Sequence, residues 1–228
     1  MLCPGDRLSV RTATGEINPL TVQYKPNVSE GSMRDPEYDN MAYDASIVTR
    51  FDDETKELQG DYWLEPLADG TPMLIRELSA RDRERDLIFF EALGPDTPHF
   101  RFLASFSPLQ DTHDQLMDVG LPNRMAYIAL AYEGTQLTEV GKARYGAFEG
   151  DAHCEFAVAV SPQWQRRGVA SALMQHLMDT ARLQGFKKIS SMDSSNNTPM
   201  DHLAKRLGFT CRVDDLHGPQ IFHEYVLQ

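Results

Sequence analysis

The chain has 228 residues, 41% of them hydrophobic, and a formal net charge of −12. That length and apolar content supply one core of ordinary domain size. The negative charge disfavours a nucleic-acid partner, no apolar run reaches membrane-spanning length, and the scattered cysteines Cys3, Cys154 and Cys211 make no disulfide framework.

Taken in order, the N-terminus shows no basic start followed by a greasy stretch, so no secretion signal is read. With unpaired cysteines this points to a reducing cytoplasm. Residues 1–63 hold six Lys+Arg against twelve Asp+Glu, half of the net charge. An acidic surface attracts a basic substrate, although solubility alone also accounts for it. The segment lacks sustained helical periodicity. Runs at 20–24 and 45–51 favour β structure, and the polar stretch 52–56 followed by 58–64 reads as strand, turn, strand. Residues 1–63 are therefore expected to be an N-terminal extension, and 64–228 the main domain. The extension could cover an acceptor groove or form a homodimer contact.

From residue 64 the pattern sharpens. Asp69-Gly70-Thr71-Pro72 predicts a turn, and 73–78 a strand. Ser79 caps a predicted helix over 81–93, with Leu87, Phe90 and Leu93 on one face. Gly94-Pro95 stops it, and a second helical region is expected at 112–119. Strands at 125–132, 137–148 and 154–160, joined by turns at Glu133-Gly134 and 149–151, form an antiparallel meander. A helix over 167–184 follows, its buried face defined by Val169, Leu173, Leu177 and Ala181, and Gly185 ends it. Residues 187–192 read as a strand. Asn196-Asn197-Thr198-Pro199 opens a short helix with Met200, Leu203, Ala204 and Leu207 at helical spacing. Strands at 209–213 and 221–227 close the chain. The sum is an α/β layer fold with a mixed, mostly antiparallel sheet.

One stretch carries chemistry. Strand 154–160 runs through Ser161-Pro162-Gln163-Trp164 into Gln165-Arg166-Arg167-Gly168-Val169-Ala170, where a helix begins. Free N–H groups and a partial positive charge at a helix start suit a diphosphate. Gly168 lacks the Cβ that would hinder a phosphate, Ala170 is small, and Arg166 and Arg167 add positive charge. The segment matches neither a lysine-bearing P-loop nor a three-glycine dinucleotide fingerprint.

Gln165 to Ala170 resembles the Q/R-x-x-G-x-G/A motif of the GCN5-related N-acetyltransferase (GNAT) superfamily. The resemblance implies the GNAT fold, and a site in which the amides of Gln165, Arg166, Arg167, Gly168, Val169 and Ala170 hold the pyrophosphate of acetyl-CoA. It further implies that Val158, Ala159 and Val160 offer backbone groups to the pantetheine arm, and that Asn197 contacts the cofactor. Asn196 is an adjacent alternative, and helix capping is the alternative role for both. Asp69 to Arg76, Phe100-Arg101-Phe102, Gly141 to Tyr145, Glu155 to Val158 and the Asn-Thr-Pro-Met segment resemble the acetyltransferase domain of bacterial Pat-type protein lysine acetyltransferases, over about residues 64–227.

Acetyl transfer to an amine needs a neutral nucleophile, hence a base. Glu155 is the candidate. It shares a strand face with the small Ala157 and Ala159, where desolvation raises a carboxyl pKa, and a glutamate here serves as base in the Pat-type pattern. A solvated strand carboxylate, or one held by Arg144, is the alternative. The tyrosine that many relatives use as general acid is replaced by Ala204, with His202 and Tyr145 as conceivable substitutes. His153-Cys154 has no partner pair at metal-ligand spacing, so no metal is expected. Cys154 reads as a core thiol. Three functions follow: N-acetylation of an amine such as a protein lysine, N-acetylation of a small molecule (polyamine, amino acid or antibiotic), or a non-catalytic CoA-binding sensor.

Overall fold

The structure, a computed structural model, describes residues 8–10, 22–24, 50–56, 58, 60–93, 117, 119, 121–214 and 220–227. Its strands are β1 (Leu8–Val10), β2 (Val22–Tyr24), β3 (Tyr62–Pro66), β4 (Pro72–Glu77), β5 (Arg124–Glu133), β6 (Gln136–Gly146), β7 (His153–Val160), β8 (Lys188–Ser194), β9 (Thr210–Asp214) and β10 (Gln220–Val226). Its α-helices are α1 (Asp52–Thr55), α2 (Arg83–Leu93), α3 (Val169–Leu183) and α4 (Thr198–Arg206). They form one open sheet in the order β2-β1-β3-β4-β5-β6-β7-β8-β10-β9. Every neighbouring pair is antiparallel except β7 and β8, which run parallel. The eight strands β3 to β10 form the mixed, mostly antiparallel sheet expected of the main domain, and β1 lengthens it by pairing with β3.

The period of the sequence decides which residues face the helices. On β7, Cys154, Phe156 and Val158 are buried and the residues between them half-buried, as a strand with one face on a core requires. α3 buries Val169, Leu173, Leu177 and Ala181 against that face. The close approach depends on Gly141. A Cβ there would lie 2.8 Å from Val169 Cγ1 and 3.2 Å from both the Ala159 carbonyl oxygen and Leu173 Cδ1. A β-bulge sits beside it. Ala129 pairs with Gly141 but Leu130 with Glu139, so Val140 is the extra residue. Its carbonyl accepts the Ser161 N–H at 3.0 Å, fixing the point where β7 turns toward α3.

The opposite face is more polar. Arg76 is fully buried and donates to both oxygens of Asp82, at 2.6 and 2.7 Å. Asp82 also completes a capping box with Ser79. Glu54 on α1 accepts from Arg76 at 2.9 Å and Arg85 at 2.7 Å. Lys142 on β6 pairs with the buried Asp86 of α2. Both carboxylate oxygens of Glu139, beside that pair, are buried without a hydrogen-bond partner among the described residues.

Four expectations need correction. The strand expected at 45–51 is absent at its described end: Phe51 is the N-cap of α1, because Asp52, Asp53 and Glu54 suit a helical first turn. The following strand covers Tyr62–Pro66 rather than 58–64. On α2, Leu87 is exposed and the buried side chains are Asp86 and Phe89, since the helix docks by an ion pair with Lys142. β1 was not expected at all. The helical region at 112–119 lies outside the described residues, except that 117 is in a turn and 119 in no regular element.

Candidate active site

The parallel pairing of β7 with β8 runs from His153↔Lys188 to Glu155↔Ser190 and stops there. Beyond Glu155 the two strands part, and β7 keeps only β6 as a partner. Backbone groups of Phe156 to Val160 on the β8 side are thus released from sheet pairing. A cleft opens next to them, bounded on one side by the start of α3 and on the other by α4. Its volume is about 790 Å³.

The turn into α3 is built for an anion. Gly168 has φ +103° and Arg166 φ +60°, both in the left-handed region that disfavours side chains. Gly168 answers that need, and a Cβ there would meet no atom of the described residues within 4 Å. The glycine is therefore required by the backbone as well as by space for a ligand. The first helical bond of α3 runs from Ala172 N to Gly168 O at 3.1 Å, so the N–H groups of Val169, Ala170 and Ser171 have no helical acceptor. The Ser171 hydroxyl also lies buried without a partner among the described residues, on the cleft wall.

Most of the expected donor-site residues line this cleft: Val158, Val160, Gln165, Arg166, Gly168, Val169, Ala170 and Asn197. Ala159 does not, because it alternates to the other face of β7. Arg167 does not either. Its guanidinium donates to Asp69 at 2.7 Å and Thr71 at 3.0 Å and stacks on Trp164 at 4.0 Å, clamping the β3–β4 turn. Asn197 is the N-cap of α4, accepting from Met200 N at 3.2 Å and donating to Asp193 at 3.0 Å. Sequence reasoning missed Ser171 and Arg206 on the wall. The signal was present for Arg206, four residues beyond His202 on the face of α4 opposite the buried Leu203 and Ala204.

Glu155 stands at the last paired position before the strands part. It is half-buried, and burial pushes its carboxyl above the ordinary glutamate range, while His153 pulls the other way. His153 is itself held by Ser190 at 2.7 Å. Glu155 shares a sheet face with Ser190 and Ala157, away from α3. Ala204 is fully buried. Tyr145 is buried too, its hydroxyl 3.3 Å from the Pro122 carbonyl, which removes it as a proton donor in the cleft. His202 is exposed at the cleft wall. Cys154 is a core thiol, pushed up to about 12 by burial.

A mixed sheet whose one parallel pair parts beside a left-handed turn and a helix start is the arrangement that the resemblance to the GNAT acyltransferases implies. The sequence pattern of the acetyltransferase (GNAT) family matches residues 88–209. The chain is 40% identical over 171 residues to the acetyltransferase PA5475 of Pseudomonas aeruginosa, a match spanning 75% of this chain and 92% of that one. The chain belongs to the GNAT acetyltransferase family, which transfers acyl groups from acetyl-CoA. Its fold is shared with the GNAT domain of S. lividans PAT, at TM-score 0.59 and 23% identity over 72% of this chain and 96% of that one. It is shared as well with yncA of Salmonella typhimurium, solved with acetyl-CoA, at TM-score 0.52 and 21% identity over 68% of this chain and 94% of that one. Among the described residues no helix is long and apolar enough to cross a membrane.

Proposed function

We propose that this chain acetylates an amine by direct attack on acetyl-CoA, with Glu155 as general base and a protein lysine as the favoured acceptor class. The pyrophosphate would rest on the free amides at Val169, Ala170 and Ser171, near Arg166. The pantetheine arm would follow the released edge of β7 past Val158 and Val160. That course brings the thioester toward the point where β7 and β8 part, and Glu155 stands there. This coincidence is the observation that carries the reading.

The chemistry then balances simply. Glu155, directly or through a water, takes a proton from the substrate ammonium. The neutral amine nitrogen bonds to the thioester carbon, and a β7 amide near Val158 stabilises the oxyanion. Collapse breaks the C–S bond, the cationic nitrogen gives up its second proton to solvent to leave the neutral amide, and the thiolate takes its proton from solvent, since Ala204 stands where relatives place a tyrosine. The acceptor preference rests on the Pat-like segments and on an acidic chain of net charge −12, which attracts cationic side chains. The free thiols of Cys154 and Cys211 support a reducing cytoplasm. Residues 1–63 are read as an extension, whose described strands β1 and β2 lengthen the sheet at β3.

The test is acetyl-CoA turnover with a protein lysate and a panel of small amines. Glu155→Gln is expected to lower kcat by about 10²–10⁴-fold while leaving acetyl-CoA affinity within a few-fold. Unchanged turnover removes the base assignment. Fast, saturable turnover of one small amine, with no labelling of protein lysines, overturns the acceptor class.

A further inference from the structure

Away from the cleft wall, three ligand-type side chains meet from three elements. Asp201 of α4, Cys211 of β9 and His223 of β10 each offer one ligand atom, and these atoms all lie within 4.8 Å of one another. The strand register places Cys211 directly opposite His223. His223 Nδ1 lies 3.2 Å from Cys211 Sγ. α4 packs on the same face through Met200, Leu203 and Ala204, and this sets Asp201 above the pair. His223 is 1% exposed, whereas Asp201 and Cys211 are half-exposed, so the cluster has a floor and an opening to solvent. Asp201 already holds a cation, with Lys205 Nζ 2.7 Å from its Oδ2.

We propose that Asp201, Cys211 and His223 form a mononuclear zinc site with one coordination position open to water. Zinc takes mixed sulfur, nitrogen and oxygen ligands at about 2.0–2.3 Å, which sets ligand atoms of a tetrahedron about 3.3–3.8 Å apart. The Cys211–His223 pair is close to that spacing, and a side-chain torsion of Asp201 closes the third edge. A thiolate with an imidazole selects zinc over magnesium or calcium, which prefer oxygen alone. On binding, Cys211 loses its thiol proton to solvent and Lys205 leaves Asp201. The ion would tie α4 to β9 and β10, and so fix the helix that walls one side of the cleft. The three ligands come from three successive elements and match no linear zinc motif, which is why sequence spacing gave no sign of them.

The experiment uses the untagged full-length chain, stripped of metal and titrated with cobalt(II), then zinc. The expected result is one equivalent of cobalt with a thiolate-to-cobalt charge-transfer band, displaced by zinc, and a higher unfolding temperature with zinc. Cys211→Ser should abolish the band and weaken zinc binding at least about tenfold, and Asp201→Asn should weaken it by about tenfold or more. Asp201 is a half-exposed helical residue, so its variant decides the matter even if Cys211→Ser folds poorly. No band in the wild-type chain, or equal zinc affinity in wild type and Asp201→Asn, overturns the site.

Discussion

At the scale of single residues, Glu155 and Gly168 carry the strongest expectations. Glu155 acts only when ionised, and burial holds its folded pKa above the ordinary glutamate range. Activity should therefore rise with pH through that raised value, with the acid limb shifted upward from where a solvated glutamate would put it. A kcat/KM profile against pH checks this: the limb should be present in the wild-type chain and missing in Glu155→Gln. Gly168 sits at φ +103°, where an L side chain costs about 1–2 kcal/mol. Gly168→Ala should lower stability by about that amount and weaken acetyl-CoA binding, since the new methyl group points at the cleft. Urea titration and equilibrium binding report the two effects separately. Wild-type affinity in Gly168→Ala would contradict the placement of the pyrophosphate.

At the scale of elements, the cleft depends on how α3 and α4 are seated. The Val140 bulge, the absent Cβ at Gly141 and the buried stripe of α3 let the helix lie close on β6. Gly141→Ala puts a carbon 2.8 Å from Val169 Cγ1, with the Ala159 backbone oxygen at 3.2 Å behind it. The side chain can yield but the backbone resists, so a loss of about 1–3 kcal/mol is expected from overpacking. Denaturant unfolding checks it. α4 starts on the Asn197 cap, and Asn197→Ala should cost about 0.5–2 kcal/mol. If Asn197 also touches cofactor, its variant loses more acetyl-CoA affinity than this stability change accounts for. The α2 helix shows the limit of periodicity. Its docking side carries the carboxylate of Asp86 beside Phe89, a pattern that hydrophobic spacing scores as solvent-facing.

At the scale of the whole molecule, stability has a pH signature set by the charged layer under α2. Burial pushes the Glu139 carboxyl well above the usual range, with Lys142 opposing and Asp86 reinforcing. The folded chain therefore binds that proton more tightly than the unfolded chain does. The contribution is full below the unfolded pKa and is lost as pH rises through the folded pKa. Chemical denaturation across a pH series should show this loss in wild type. Glu139→Gln, which mimics the protonated form, should lack it. An identical pH dependence in the two proteins would mean that Glu139 stays ionised in the fold. The same layer links α1, α2 and β4 through Glu54, Arg76, Asp82 and Arg85, so residues from both sides of position 63 share one charged network.

The sequence alone determined what depends on local order: the strand meander, the amphipathic face of α3, the turn at Gln165 to Ala170 and the GNAT identity they signal. Those features are written in neighbouring residues, through side-chain period and backbone preference. Only the tertiary structure decided where β7 and β8 part, that Arg167 clamps a distant turn instead of facing the cleft, and that Asp86 rather than Leu87 is buried. It alone brought Asp201, Cys211 and His223 together. Each of these is a contact between separate elements, set by register and packing that no short window of sequence contains.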